Sequence, residues 1–293
     1  MPELPEVETV RRGLATAVLA AEIVSVQVRH PRVVRRQPGG ARHFTDALAG
    51  SQITAVQRRG KYLWLELADG GCDGAALVAH LGMSGQFRIT TKQRIHDQHA
   101  RAALRLADRR TLLFRDQRTF GWLLISDIGT AGVPAAVDHI GRDPFDPDYD
   151  LDAVAARLAS SNSGIKRQLL GQTVVSGVGN IYADEALWRA RVYPETPGAA
   201  LGQQRCAEVL TQAQSVMSAA LAAGGTSFDP LYVAVNGESG WFERSLDVYG
   251  REGEPCRRCG AAILRERFTN RSSHRCPNCQ APPTQVAPST NPQ

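Results

Sequence analysis

Four cysteines near the C-terminus have the spacing of metal ligands. Cys256, Cys259, Cys276 and Cys279 form C-x2-C-x16-C-x2-C within CRRCGAAILRERFTNRSSHRCPNC. Each C-x2-C pair can turn two thiolates toward one tetrahedral Zn2+, and the sequence between the pairs is long enough for a hairpin. Four protein ligands leave no open position for water or substrate, so one structural zinc is expected. Arg265, Arg267, Arg271 and Arg275 give that hairpin guanidinium groups suited to phosphate. At the other end, MPELPEVETV sets two prolines and three glutamates where most chains fray. Taken alone, Glu3 and Glu6 suit a helix N-terminus, where negative charge complements the dipole.

The elements that must carry these groups follow from periodicity. Leu4, Val7, Val10, Leu14 and Val18 recur at helical spacing, with Pro5 in the first turn, where its missing N–H costs little. From about Ile23 to Ile125 the pattern turns to short alternating or β-branched runs: EIVSVQV, QITAVQ, KYLWLEL, AALVAHL, RAALRL and TLLFR. Many short strands at this spacing suggest a sandwich or barrel. IGRDPFDPDYD is a boundary candidate. Beyond it LDAVAARLA, IKRQLL, IYADEALWRAR and QQRCAEVLTQAQSVMSAALAA read as helices, the last stopped by Gly224 and Gly225. The stretch GGTSFDPLYVAVNGESGWF reads as a lid or connector, and APPTQVAPSTNPQ as a disordered tail.

With 293 residues and 43% hydrophobic content the chain is long enough for two cores, and disorder is not the general expectation. It holds no apolar run of about eighteen residues and no basic, greasy leader, so the expectation is a cytoplasmic protein without a membrane partner. Lone Cys72 and Cys206 read as small buried hydrophobes. The net charge of +5 is unevenly spread. Between Arg29 and Lys61 stand eight Lys/Arg against one acid, Asp46, and between Arg251 and Cys279 seven Arg against three Glu. Two basic surfaces suggest a polyanion partner.

PELPEVET, RRGKYL at 58–63, HLGMSG at 80–85, DQRTFG at 116–121, VSGVGNIYADE at 175–185 and the four-Cys finger occur in order from residue 2 to residue 279. Together they resemble the formamidopyrimidine-DNA glycosylases. The resemblance implies an α+β fold: an antiparallel β-sandwich with an N-terminal helix (2–142), a helix–two-turn–helix domain with a lesion-capping loop (150–245), a zinc finger (246–280) and a disordered tail (281–293). It implies a monomeric base-excision-repair enzyme that removes oxidised purines from duplex DNA and then nicks the strand. Two alternatives stay open: an inactive lesion-binding zinc protein, and an endonuclease VIII-like enzyme for oxidised pyrimidines.

The resemblance also assigns residues. Loss of Met1 would free the secondary amine of Pro2, whose pKa lies far nearer neutrality than a lysine's, so it can act as the nucleophile. Glu3 is implied as the acid that helps open the sugar, and Glu6, one helical turn on, can approach the same space. Lys61 is implied in β-elimination and phosphate contact. Arg271 is implied in the later elimination step, where a phosphate contact suits an arginine better than proton transfer. Met83, Arg118 and Phe120 match residues that fill the gap left by the extruded nucleotide. His99, Lys166 and Asn180 match DNA contacts, although ASSNSG replaces the basic run usual upstream of that lysine. Gly82, Gly85 and Gly121 suggest tight turns beside the gap-filling side chains. Thr226 and Tyr232 are candidate loop contacts.

Overall fold

Residues Leu4–Val18 form α1, with Pro5 in its first turn and Val7, Val10, Leu14 and Val18 on its buried face. The computed structural model describes residues 2–92, 94, 96–224 and 245–282. The lid stretch, with Thr226 and Tyr232, and the tail from residue 283 lie outside the described residues. Contacts group the chain into two units, one of Met1–Tyr149, Val175–Val178 and Met217–Ser245, the other of Asp150–Val174, Gly179–Val216 and Leu246–Gln293.

In the first unit, β1 (Ile23–Val28), α2 (Gly40–Leu48), β2 (Gln52–Arg59), β3 (Tyr62–Ala68), β4 (Ala75–His80), β5 (Gly85–Thr90), β6 (Ala100–Leu106), β7 (Thr111–Asp116) and β8 (Trp122–Asp127) follow α1. They build two four-stranded sheets, ordered β1-β6-β7-β5 and β2-β3-β4-β8. Every pairing is antiparallel. One apolar cluster draws on both sheets and on α1, through residues such as Leu14, Leu65, Phe87, Phe114 and Leu123. Fully burying each such side chain is worth about 1.5–3 kcal/mol, enough to hold the start of α1 against fraying. A second cluster covers Trp64, Val78 and Trp122 with Val133, Val137 and Ile140. Two strands and one helix lie beyond the sequence pattern. Gly85 and Trp122 open β5 and β8 beside turn-like strings, and Gly39, at φ +75°, precedes α2 and reads as loop.

The second unit holds α3 (Leu151–Ala159), α4 (Ile165–Leu170), α5 (Asn180–Arg189), most of α6 (Gly198–Ala222) and the hairpin β9 (Leu264–Phe268) and β10 (Arg271–Arg275). Asp150 caps α3 by accepting the Ala153 N–H at 2.9 Å. Gly202, at φ +73°, kinks α6, so the helix expected from Gln203 is preceded by a further turn. The finger shares a unit with the helices because Trp188 of α5 packs with Val248, Cys256, Ile263 and Cys276. Buried Glu185 adds to this by accepting the N–H groups of Asp247, Val248 and Tyr249 at 2.9, 2.8 and 2.8 Å. Burial raises its carboxyl pKa, against those three hydrogen bonds. Among the described residues no helix is long and apolar enough to cross a membrane.

Candidate active site and zinc centre

Pro2 and Glu3 are buried at the entrance to α1. The Glu3 N–H donates to Glu6 Oε2 at 2.9 Å, the reach-back half of a capping box. The next N–H, of Leu4, donates to the Gly177 carbonyl at 3.1 Å. Only glycine suits that position: φ is +87°, and a Cβ there would lie 2.5 Å from Leu4 Cδ1. Lys61, at the β2–β3 turn and 6% exposed, donates from Nζ to the Val178 carbonyl at 2.9 Å. Two consecutive carbonyls therefore hold the helix start and the lysine. This brings Pro2, Glu3 and Lys61 to one short segment, with a carboxyl group and an ammonium in a partly dry setting next to the Pro2 nitrogen, which becomes a free amine once Met1 is removed.

A charge network that the sequence did not announce supports this turn. Arg58 donates from Nε to Glu8 of α1 at 3.0 Å, and from Nη1 and Nη2 to Asp143 at 2.8 and 3.2 Å. Asp143 also accepts the Gly60 N–H at 2.9 Å, next to Lys61. Burial opposes the charge on Glu8, but hydrogen bonds and charges from Arg11 and Arg58 outweigh it and hold its pKa at about 2.

Met83 is half-buried, whereas Arg118 is exposed and Phe120 is 41% exposed. The Arg118 guanidinium lies over the Phe120 ring, 4.9 Å from its centroid. Of the three glycines expected in turns beside them, Gly82 has a positive φ, +63°. Gly85 and Gly121 are needed for close approach instead, to Leu81 O and to the Phe114 ring. His80 accepts the Gly82 N–H at Nδ1 (3.1 Å) and stacks on Trp122. Burial first, then the charges of Lys61, Arg36 and Arg35, depress its pKa to about 4, so at neutral pH it is the uncharged acceptor. His99 is half-buried, donates its backbone N–H to Asp97 at 2.9 Å, and lines an open cavity of about 590 Å³ with Lys92, Arg94, His96 and Arg115.

In the second unit Arg271 stands exposed at the start of β10, donating from Nε to Asn270 at 3.1 Å. Asn180, the first residue of α5, donates to the Ser272 carbonyl at 2.9 Å. Lys166 is placed differently from a phosphate-gripping residue. Its side chain is 0% exposed, and Nζ pairs with equally buried Asp184 at 2.6 Å. Asp184 also accepts from Ser273 Oγ at 3.1 Å and from the His274 N–H at 2.9 Å, which ties β10 to α5.

The sulfur atoms of Cys256, Cys259, Cys276 and Cys279 all lie within 4.8 Å of one another, compatible with Zn–S bonds of about 2.3 Å around a tetrahedral ion. Amide N–H groups point at two of them, from Arg258 to Cys256 at 3.5 Å and from Cys279 to Cys276 at 3.4 Å. Trp188 Nε1 adds a third donor, to Cys256 at 3.4 Å. Such donors favour thiolates, and the set fits one closed structural zinc.

Comparison with known proteins agrees with this geometry. Residues 1–123 match the model of the formamidopyrimidine-DNA glycosylase N-terminal domain, residues 140–230 that of the formamidopyrimidine-DNA glycosylase H2TH domain, and residues 253–282 that of the zinc finger found in FPG and IleRS. Formamidopyrimidine-DNA glycosylase of Mycolicibacterium smegmatis is 57% identical over 287 residues, covering 97% of this chain and 98% of its own. The Mycolicibacterium gilvum protein of that name is 55% identical over 286 residues, covering 97% and 99%. The Lactococcus lactis enzyme bound to AP-site DNA superposes with TM-score 0.81 at 32% identity, over 96% of this chain and 100% of its own. MutM in complex with DNA containing carbocyclic 8-oxo-G gives 0.83 at 33%, with the same coverage.

Proposed function

Because this chain belongs to the formamidopyrimidine-DNA glycosylase family, we propose that it excises oxidised purines such as 8-oxoguanine from duplex DNA through Pro2 and then cleaves the strand. The observation that carries the residue assignment is the pair of carbonyls, Gly177 and Val178, that anchors both the Leu4 N–H beside Pro2 and the Lys61 ammonium. With Met1 removed, the Pro2 nitrogen attacks C1′ of the deoxyribose. The C1′–N bond to the damaged base breaks, the base leaves with a proton, and Glu3 assists sugar opening as an acid. The resulting iminium acidifies C2′. Lys61 serves proton transfer in β-elimination of the 3′ phosphate, and Arg271 holds phosphate during δ-elimination of the 5′ phosphate. Glu6 keeps the Glu3 backbone in place.

Met83, Arg118 and Phe120 fill the gap left by the extruded nucleotide, and Asn180 and His99 contribute to DNA contact. Cys256, Cys259, Cys276 and Cys279 hold the zinc that pins the Arg271 hairpin. One chain carries every group named, which supports a monomer. Four thiols reserved for zinc suit a reducing cytoplasm. Relatives 55% and 57% identical to this chain are formamidopyrimidine-DNA glycosylases, which favours neither an inert lesion-binding protein nor a pyrimidine-specific enzyme. Borohydride added during turnover on 8-oxoguanine duplex should give a stable adduct that peptide mapping places on residue 2. Normal excision by a protein with an extended N-terminus would overturn the mechanism.

A further inference from the structure

Asp116 is 1% exposed, yet it lies two residues from exposed Arg118 and four from exposed Phe120. Its carboxylate is occupied by the loop itself. Oδ1 accepts from Ser84 Oγ at 2.5 Å and from the Arg118 N–H at 3.2 Å, and Oδ2 accepts from the Gly121 N–H at 2.7 Å. Ser84 Oγ accepts the same Arg118 N–H at 3.1 Å. Ser84 is 2% exposed and follows Met83 in the neighbouring turn. The backbones of the two turns also touch. A Cβ on Gly82 would lie 2.5 Å from the Gly121 nitrogen and 2.6 Å from the Phe120 carbonyl carbon. From outside, Arg35 donates to the carbonyls of Gly121 at 2.7 Å and Phe120 at 2.8 Å, while Arg101 Nε donates to that of Asp116 at 2.6 Å. Thr119, between the two exposed side chains, sits at φ +57°, a conformation that a non-glycine residue holds only when its surroundings impose it.

We propose that Asp116 and Ser84 are positioning residues that lock the Met83 turn and the Arg118–Phe120 turn into one preorganised wedge, with opposite-base selectivity depending on them through Arg118. A guanidinium on a loop free to rock would meet cytosine and adenine with similar ease. Fixed by its own backbone N–H, it presents its donors in one direction, and a mismatched pattern of acceptors then carries its full penalty. The carboxylate suits this task because both its oxygens accept and neither donates. The proposal rests on what the family resemblance implies for Arg118, that its guanidinium hydrogen-bonds the orphaned base, normally cytosine.

Single-turnover excision of 8-oxoguanine opposite cytosine and opposite adenine tests it, with Asp116→Asn, Ser84→Ala, Arg118→Ala and the double variant Asp116→Asn/Arg118→Ala. The amide in Asp116→Asn sets an N–H donor against the backbone N–H of either Arg118 or Gly121. The expected result is a cytosine-to-adenine rate ratio reduced by roughly fivefold or more in Asp116→Asn, within the range one hydrogen-bonded base contact supplies. Ser84→Ala should show a smaller change in the same direction. The double variant should show no further loss of ratio beyond Arg118→Ala, because both act on one contact. Equal slowing on both duplexes, or loss of ratio that adds to that of Arg118→Ala, would overturn the proposal and leave Asp116 a merely structural residue. An unchanged ratio in Arg118→Ala would instead sink the reading of Arg118, and the proposal with it. Should Asp116→Asn not fold, an unchanged ratio in folded Ser84→Ala refutes the shared lock.

Discussion

Lys166→Met should destabilise the protein without weakening its grip on phosphate. Lys166 Nζ and Asp184 Oδ1 are 2.6 Å apart with both side chains 0% exposed, and the ammonium lies 4.8 Å from the Phe268 ring centroid. Methionine matches the length of the lysine stem but leaves the Asp184 charge buried. The Ser273 hydroxyl and the His274 backbone N–H still donate to it, and both are uncharged donors, while the His274 ring nitrogen Nδ1 lies 3.5 Å away. Removing one partner of such a pair costs about 3–5 kcal/mol. With a urea slope of about 2 kcal/mol/M, a loss of about 4 kcal/mol lowers the midpoint by about 2 M. Fluorescence of Trp188, packed on the finger cysteines, reports that transition. Lys166→Met/Asp184→Asn should recover part of the loss, since no uncompensated charge remains. The slope of log binding constant against log salt should stay at its wild-type value. A midpoint close to wild type together with a slope reduced by about one unit would place the lysine on a phosphate and refute the buried-pair argument.

Lowering the pH from 8 to 5 should cost the first unit about 2 kcal/mol through His80. Its folded pKa of about 4 lies below the ordinary histidine value of 6.5, so the unfolded chain binds the proton first. Stability then falls as pH drops below 6.5 and levels off below about 4; a His80→Phe variant with the same pH profile would disprove the assignment. Glu8 acts in a separate window, since its contribution is present above pH 4.5 and lost only as pH falls toward about 2. Cys276→Ser should lose zinc by metal analysis and raise hydrogen exchange in β9 and β10, and DNA binding should weaken. Full DNA affinity in the metal-free protein would contradict the finger's role.

The metal ligands and the strand runs were legible because spacing and alternation are local. The Cys pairs declare themselves within four residues, and KYLWLEL alternates over one strand. Arg58, Asp116, Asp143 and Asp184 were not legible as a class. Each is one charged residue in a short string, and its role comes from N–H groups or guanidinium donors brought in from distant segments. Asp116 stood inside a motif whose neighbours drew the functional reading. Lys166 was read as a DNA contact through the resemblance; its burial against Asp184, eighteen positions on and on another helix, leaves no sequence signal, although lysine seldom goes inside unless paired. The extra strands β5 and β8 begin beside glycine-containing strings that carry turn signals of their own.

The two carbonyls that hold Leu4 and Lys61 come from residues 177 and 178, although the strands described in their unit are complete by Asp127. During synthesis the sandwich can therefore form before the start of α1 and Lys61 are tied down. The helix start and the lysine wait for a stretch made some fifty residues later than the last strand. A nascent chain released at the boundary near Tyr149 would carry Pro2, the residue proposed as nucleophile, without the two carbonyls that hold the start of α1 and Lys61.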